Sequence, residues 1–174
     1  LSEKFNVFIS INVSSQDLLS ESFQGKVFQM IDELNIEPGM IMVELTERQS
    51  ADLNSLQKVI SLFNNKGILI AIDDFGTGYS NLNWLSSLQI DEIKIDKSIT
   101  DSIDEYSISN NVLSGLVEIF KDITHKVVFE GVETSTQVNY LTEMFPECGV
   151  QGWYYSKPLP IDKLTKLVED ANLP

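Results

Sequence analysis

Hydrophobic residues along this 174-residue chain gather into six short runs of strand character, with helix-like stretches between them. The first run, around Phe5 to Val13, alternates so that Phe8, Ser10 and Asn12 share one side while Val7, Ile9, Ile11 and Val13 share the other. A second run lies near Met40 to Thr46. The third, ILIAIDD, strings Ile, Leu and Ala together without polar alternation, as a strand buried on both faces requires. EIKID, KVVFE and the stretch Gly149 to Ser156 supply the fourth, fifth and sixth.

Helix signals fill the intervals. Ser14 or Ser15 is a natural N-cap for a short helix, and a second is predicted from about Lys26 to Leu34, before the Glu37-Pro38-Gly39 turn. Leu53, Leu56, Ile60 and Phe63 fall on one face of a helix over about Asp52 to Lys66, with Gly67 as its C-cap. Further helices are expected near Ile108 to Phe120, from about Thr134, and after Pro158-Leu159-Pro160.

Strands alternating with helices predict an α/β fold with a parallel sheet, in which the C-terminal ends of the strands share one face. Each run here ends at a polar group: Asn12, Glu44, Asp73-Asp74, Lys94, Glu130 and Gln151. Residues far apart in sequence are therefore expected to converge. A complete eight-stranded barrel needs roughly 250 residues and rarely fewer than about 200. One domain over residues 1–174, an incomplete barrel of about six β/α units, is the expectation. The chain begins at Leu1 and enters its first strand almost at once, so we expect it to be a piece of a longer protein.

The net charge of -14 excludes a groove that binds DNA or RNA through Lys and Arg, and obliges any anionic ligand to bring cations. With one cysteine, Cys148, and one histidine, His125, a Cys/His zinc site is excluded and a reducing compartment fits. No apolar run approaches the roughly 20 residues of a membrane helix. A soluble, cytoplasmic domain is expected, any membrane anchor lying in flanking regions.

The strand-end residues carry competing readings. Asp73-Asp74, before the glycine-containing loop, suits a hard divalent cation, or else forms an Asx turn capping the next helix. Both carboxylates reach one site only if the strand ends there, with Gly76 and Gly78 supplying the bend. Glu44 should look into the barrel mouth, or act as a cap acid; Asn12 is a ligand or a turn former; Glu47 holds a neighbouring loop. Lys94, flanked by Ile93 and Ile95, points inward among anions, or forms an ordinary salt bridge to Asp96 or a neighbouring carboxylate. Glu133 lines the site or favours a helix dipole, and Gln151 offers a neutral donor and acceptor. Trp153, Tyr154 and Tyr155 are expected to pack in the barrel, with a base-stacking platform as the alternative. Five carboxylates around one lysine are unfavourable without metal, and two divalent cations would suit in-line phosphodiester hydrolysis.

The ordered set INVS, VELTE, DDFGTGYSNLNWL, KID, EGVET and QGWYYSKPLP spans nearly the whole chain and resembles the EAL-domain family of cyclic di-GMP phosphodiesterases. The resemblance implies a TIM-like barrel with one antiparallel strand that hydrolyses cyclic di-GMP to linear pGpG with Mg2+ or Mn2+, Ca2+ being inhibitory. By motif, Asn12 and Glu44 resemble ligands of one metal, Asp73 the bridging ligand and Asp74 a ligand of the second. Lys94 resembles the residue that holds the hydrolytic water, and Glu130 the general base or second-metal ligand. Glu133 and Gln151 complete the surroundings, while Glu47 resembles the glutamate that secures the DDFGTGYS loop. The family further implies a homodimer, with the helix near Ile108 to Phe120 as a dimer element, and upstream sensory or GGDEF domains. The Glu-Ala-Leu segment that names the family, with its metal-binding glutamate and a substrate-holding arginine, is absent. A non-catalytic cyclic di-GMP receptor or interaction module is the alternative.

Overall fold

Alternation with a period of two sets the architecture. The computed structural model describes residues 8–46, 52–77, 82–103, 113–115, 117–120 and 126–170. Its strands are β1 (Ile9–Val13), β2 (Ile41–Thr46), β3 (Leu69–Phe75), β4 (Glu92–Ile95), β5 (Lys126–Phe129) and β6 (Gly149–Val150). They form one sheet whose spatial order equals the sequence order, every neighbouring pair being parallel. The antiparallel strand implied by the resemblance is not among these six.

Parallel neighbours need a crossover on one side of the sheet. Helices α1 (Ser15–Leu19) and α2 (Glu21–Glu33) link β1 to β2, α3 (Leu53–Asn65) links β2 to β3, and α4 (Leu82–Ser87) links β3 to β4. A single turn, α5 (Lys97–Thr100), and helical residues at 113–115 and 117–120 follow β4; α6 (Ser135–Met144) follows β5 and α7 (Ile161–Asp170) follows β6. Ser14, Asp52 and Thr134 cap α1, α3 and α6 through their side chains. Among the described residues no helix is long and apolar enough to cross a membrane.

One set of alternate strand residues faces the helices. Val43, Leu45, Ile70, Ile72, Ile93, Ile95 and Phe129 pack there with Leu18, Leu56, Ile60, Phe63 and Phe120 in a single core. The other set carries the polar chemistry. Asn12 and Glu44 are register partners, as are Glu44 and Ala71, Ala71 and Glu92, and Glu92 and Lys126, so these five form one row across the concave face. The curvature is strong: Lys126 Nζ on β5 lies 5.1 Å from the centroid of Phe8, just before β1, although three strands separate β1 from β5. The sheet curls without closing. Among the described residues β1 and β6 each have one neighbour.

Two expectations change. The second helix begins at Glu21, not near Lys26, because packing of Phe23, Val27 and Phe28 against the core carries the poor helix former Gly25 along. The sixth strand ends at Val150 instead of running to Ser156, because Gly152 passes so close to the end of β5 that a Cβ there would lie 2.1 Å from the Val132 carbonyl oxygen. The chain turns at residues 153–155. Trp153, Tyr154 and Tyr155 are consequently 59%, 46% and 57% exposed, which overturns the expectation that they pack inside the barrel. Of the expected helix from Ile108 to Phe120, residues 108–112 and 116 lie outside the described residues, and Leu113, Val117 and Phe120 are buried.

Candidate metal centre

Glu44, Asp73, Lys94 and Glu130 reach one point from four consecutive strands. Each of the first three stands on the concave face, and Glu130 follows the last residue of β5. Lys94 Nζ lies 2.7 Å from Glu130 Oε1, 3.0 Å from Glu44 Oε2 and 3.4 Å from Asp73 Oδ1. The ammonium donates to Glu130 and Glu44, while Asp73 at 3.4 Å acts on it through charge and not through a hydrogen bond. Lys94 is buried, at 4% exposure, between Ile93 and Ile95, which point into the core as the alternation requires. Pairing with three carboxylates, instead of with Asp96, is what makes that burial tolerable. Asp96 instead accepts from the Ser98 backbone and hydroxyl and caps α5.

Burial works to lower the Lys94 pKa, but hydrogen bonds to Glu130 and Glu44 and the charge of Asp73 outweigh it and hold the amine above its usual range. Burial lifts the Glu130 carboxyl above the usual carboxylate range; the bond to Lys94 pulls against this, while negative charge on Asp73 and Glu44 adds to the rise. The cluster carries three acids and one base. It remains anionic.

Adjacent residues of a regular strand point to opposite faces, yet Asp73, Asp74 and Glu130 each offer a carboxylate oxygen within 4.8 Å of one another. A register shift between Ile72 and Phe75 accounts for this. Asp74 adopts a left-handed conformation, with φ of 57°. The bend expected at Gly76 and Gly78 thus starts at Asp74 itself; Gly76 follows at φ of 105°, and Gly78 lies outside the described residues. Thr77 donates to the Asp74 backbone carbonyl through its N–H and its hydroxyl, closing the turn.

These residues fit a divalent cation. The donor set is all oxygen, as hard cations prefer, and the buried Asp73 Oδ1 has no hydrogen-bond partner. Asn12 lies beside Glu44 in register, on an exposed edge strand. Glu133 stands apart, 2.9 Å from Lys97 Nζ, and Gln151 is exposed between the concave face and a neighbouring cavity of about 600 Å3. Glu47 lies outside the described residues.

Two participants escaped the sequence reading. Lys97 binds Glu133 and Asp101; the signal was its spacing of three from Lys94, matching that of Glu133 from Glu130. Gln137, buried at 7%, forms a capping box with Thr134, which the T-x-x-Q spacing signals.

The model of the EAL domain family matches residues 2–158. In sequence the chain is 41% identical, over 161 residues, to "Probable cyclic di-GMP phosphodiesterase PdeB" of Escherichia coli strain K12, covering 92% of this chain and 30% of that protein. The chain thus spans less than a third of that relative's length. In structure it resembles the EAL domain of Mycobacterium smegmatis DcpA, with a TM-score of 0.91 and 28% identity over 99% of this chain and 78% of that one. It also resembles the calcium and cyclic di-GMP complex of Klebsiella pneumoniae BlrP1, with a TM-score of 0.77 and 27% identity over 87% of this chain and 39% of that one. An open parallel sheet, a lysine ringed by carboxylates at the strand ends and a family match over most of its length agree: this chain belongs to the EAL domain family.

Proposed function

We propose that this chain forms the metal-bearing part of a cyclic di-GMP phosphodiesterase, in which water opens one phosphodiester bond to give linear pGpG with two divalent cations, Mg2+ or Mn2+. The observation that carries the reading is the convergence of Asp73, Asp74 and Glu130 within 4.8 Å, beside a buried lysine, in a chain whose relatives are named for this activity. Asp73 and Asp74 would hold the cations with Glu130, and Asn12 and Glu44 border the same space. Cations held there would neutralise the crowded carboxylates and stabilise charge on the attacking and leaving oxygens.

The remaining work falls to the chain's own groups. Lys94 carries the positive charge that lets Glu44, Asp73 and Glu130 share one buried space, and aims a proton donor into it. Glu130, its carboxyl lifted by burial, is suited to accept the proton of the attacking water. The anionic surface excludes polymeric nucleic acid, so a small nucleotide neutralised by cations is the fitting substrate.

The test supplies cyclic di-GMP to the full-length protein with Mn2+, Mg2+ or Ca2+ and follows both binding and product. Formation of pGpG with Mn2+ or Mg2+, and binding without turnover in Ca2+, is the expected result. Binding without product in all three cations would overturn hydrolysis and leave a receptor; no binding at all would remove both.

A further inference from the structure

The β4–α5 connection and the segment after β5 run side by side with matched spacing. Lys94 pairs with Glu130 at 2.7 Å, and three residues further along each segment Lys97 pairs with Glu133 at 2.9 Å. The first rung is buried and the second half-exposed. Lys97 Nζ also lies 3.1 Å from Asp101 Oδ1 and donates to the Gly131 carbonyl at 3.5 Å. Its aliphatic stem covers Gly131, where a Cβ would come within 2.3 Å of Lys97 Cγ, and where the backbone φ of 68° already favours glycine.

Gln137 ties the same segment from the backbone side. Its Oε1 accepts from the N–H groups of Glu133 and Thr134 at 2.9 and 3.0 Å, and its Nε2 donates to the Thr100 carbonyl at the end of α5, at 3.3 Å. Residues 131–134 belong to no strand or helix. The loop that presents Glu130 is therefore held on one side by α5 and on the other, through the Val132 backbone, by the turn after β6. An exposed ion pair contributes little to stability, so stability alone does not explain a lysine with three acceptors and a packed stem.

We propose that Lys97 is a positioning residue for the metal centre: by clamping Gly131 and Glu133 to α5 it sets the direction from which Glu130 meets Asp73 and Asp74. The inference rests on the phosphodiesterase reading only for its kinetic readout.

In the full-length protein, Mn2+ affinity is titrated by electron paramagnetic resonance for the wild type, Lys97→Met and Lys97→Arg, and kcat and KM for cyclic di-GMP are measured on the same proteins. Methionine keeps the stem over Gly131 and removes the clamp. Charge alone would make Lys97→Met bind Mn2+ more tightly, since a cation has left the edge of an anionic site. A positioning role gives the opposite sign. We expect Mn2+ binding to weaken about fivefold and kcat to fall about tenfold, with KM within about twofold and arginine restoring most of both. Tighter or unchanged Mn2+ binding by Lys97→Met overturns the assignment. A wild type that binds Mn2+ without hydrolysing the nucleotide would overturn the phosphodiesterase reading, while the sign of the Mn2+ change still decides Lys97. Should Lys97→Met fail to fold, Lys97→Gln removes the same charge and the same clamp, and tighter or unchanged Mn2+ binding there overturns the assignment equally.

Discussion

Without its ammonium, Lys94 would leave Glu44, Asp73 and Glu130 facing one another in a space from which water is largely excluded. Breaking a buried ion pair by removing one partner costs roughly 3–5 kcal/mol, and here three acids lose one base. Lys94→Met is expected to lower the unfolding free energy by that order in metal-free buffer, read as a lower urea midpoint, with saturating Mn2+ recovering part of the loss. An unchanged midpoint would show that the carboxylates take up protons instead. Asp73→Asn acts differently, because it spares the ion pairs of Glu44 and Glu130 with Lys94 and removes one of the three anions of the donor group. Turnover by the full-length protein should fall by about 100-fold or more, and near-normal pGpG production would refute the role given to Asp73. The inward direction of Lys94 was legible from EIKID, since two isoleucines two apart leave the residue between them no other face. The convergence of Asp73 with Asp74 was not: alternation sends them apart, and the left-handed turn that reunites them sits at an aspartate, where the eye expects glycine.

At the level of elements, β6 is only two residues long, and its hold on the sheet passes to the turn that follows. Val132 donates to the Gln151 carbonyl at 3.1 Å, and Tyr154 donates to the Val132 carbonyl at 3.0 Å, with Gly152 between them against the Val132 backbone. A methyl group at residue 152 must push this turn away. Gly152→Ala is therefore expected to destabilise the protein by about 1–3 kcal/mol, read as a lower urea midpoint, with wild-type stability counting against the close approach. The cap of α1 was readable in advance as Ser14 or Ser15, and the starts of α3 and α6 near Asp52 and Thr134, because their chemistry is local. The end of β6 was not, because it depends on a backbone twenty residues away in sequence.

At the scale of the whole molecule, the sheet of the described residues has two edges and a concave face. Phe8 just before β1 and Ile9 and Ile11 within it are 45%, 49% and 43% exposed, and the outer side of β1 has no strand among the described residues. A flat, apolar edge recruits strands from other chains unless charge interrupts it. The 174-residue chain should self-associate with rising concentration despite its net charge of -14, and Ile9→Lys with Ile11→Lys should shift its sedimentation toward the monomer. Association unaffected by the two lysines would move the contact elsewhere. Six β/α units and an incomplete barrel were legible from periodicity and length, since both are properties of the chain alone. The degree of curl was not, because it arises from packing that no single segment contains.

Lys94 and Glu44 stand 50 residues apart in the chain, and Glu130 arrives from yet another strand. No single β/α unit holds a precursor of the cluster. Closing such loops costs entropy that grows slowly with their length, and long-range pairings of this kind slow folding. Until β2 to β5 have docked, the carboxylates remain separate and hydrated. A cation that needs them together binds the finished sheet and not the unfolded chain, adding about 2.7 kcal/mol to the native state at a hundredfold excess over its dissociation constant. On the function proposed above, metal capture would thus be a late event in the life of the chain, locking in place the assembly that made it possible.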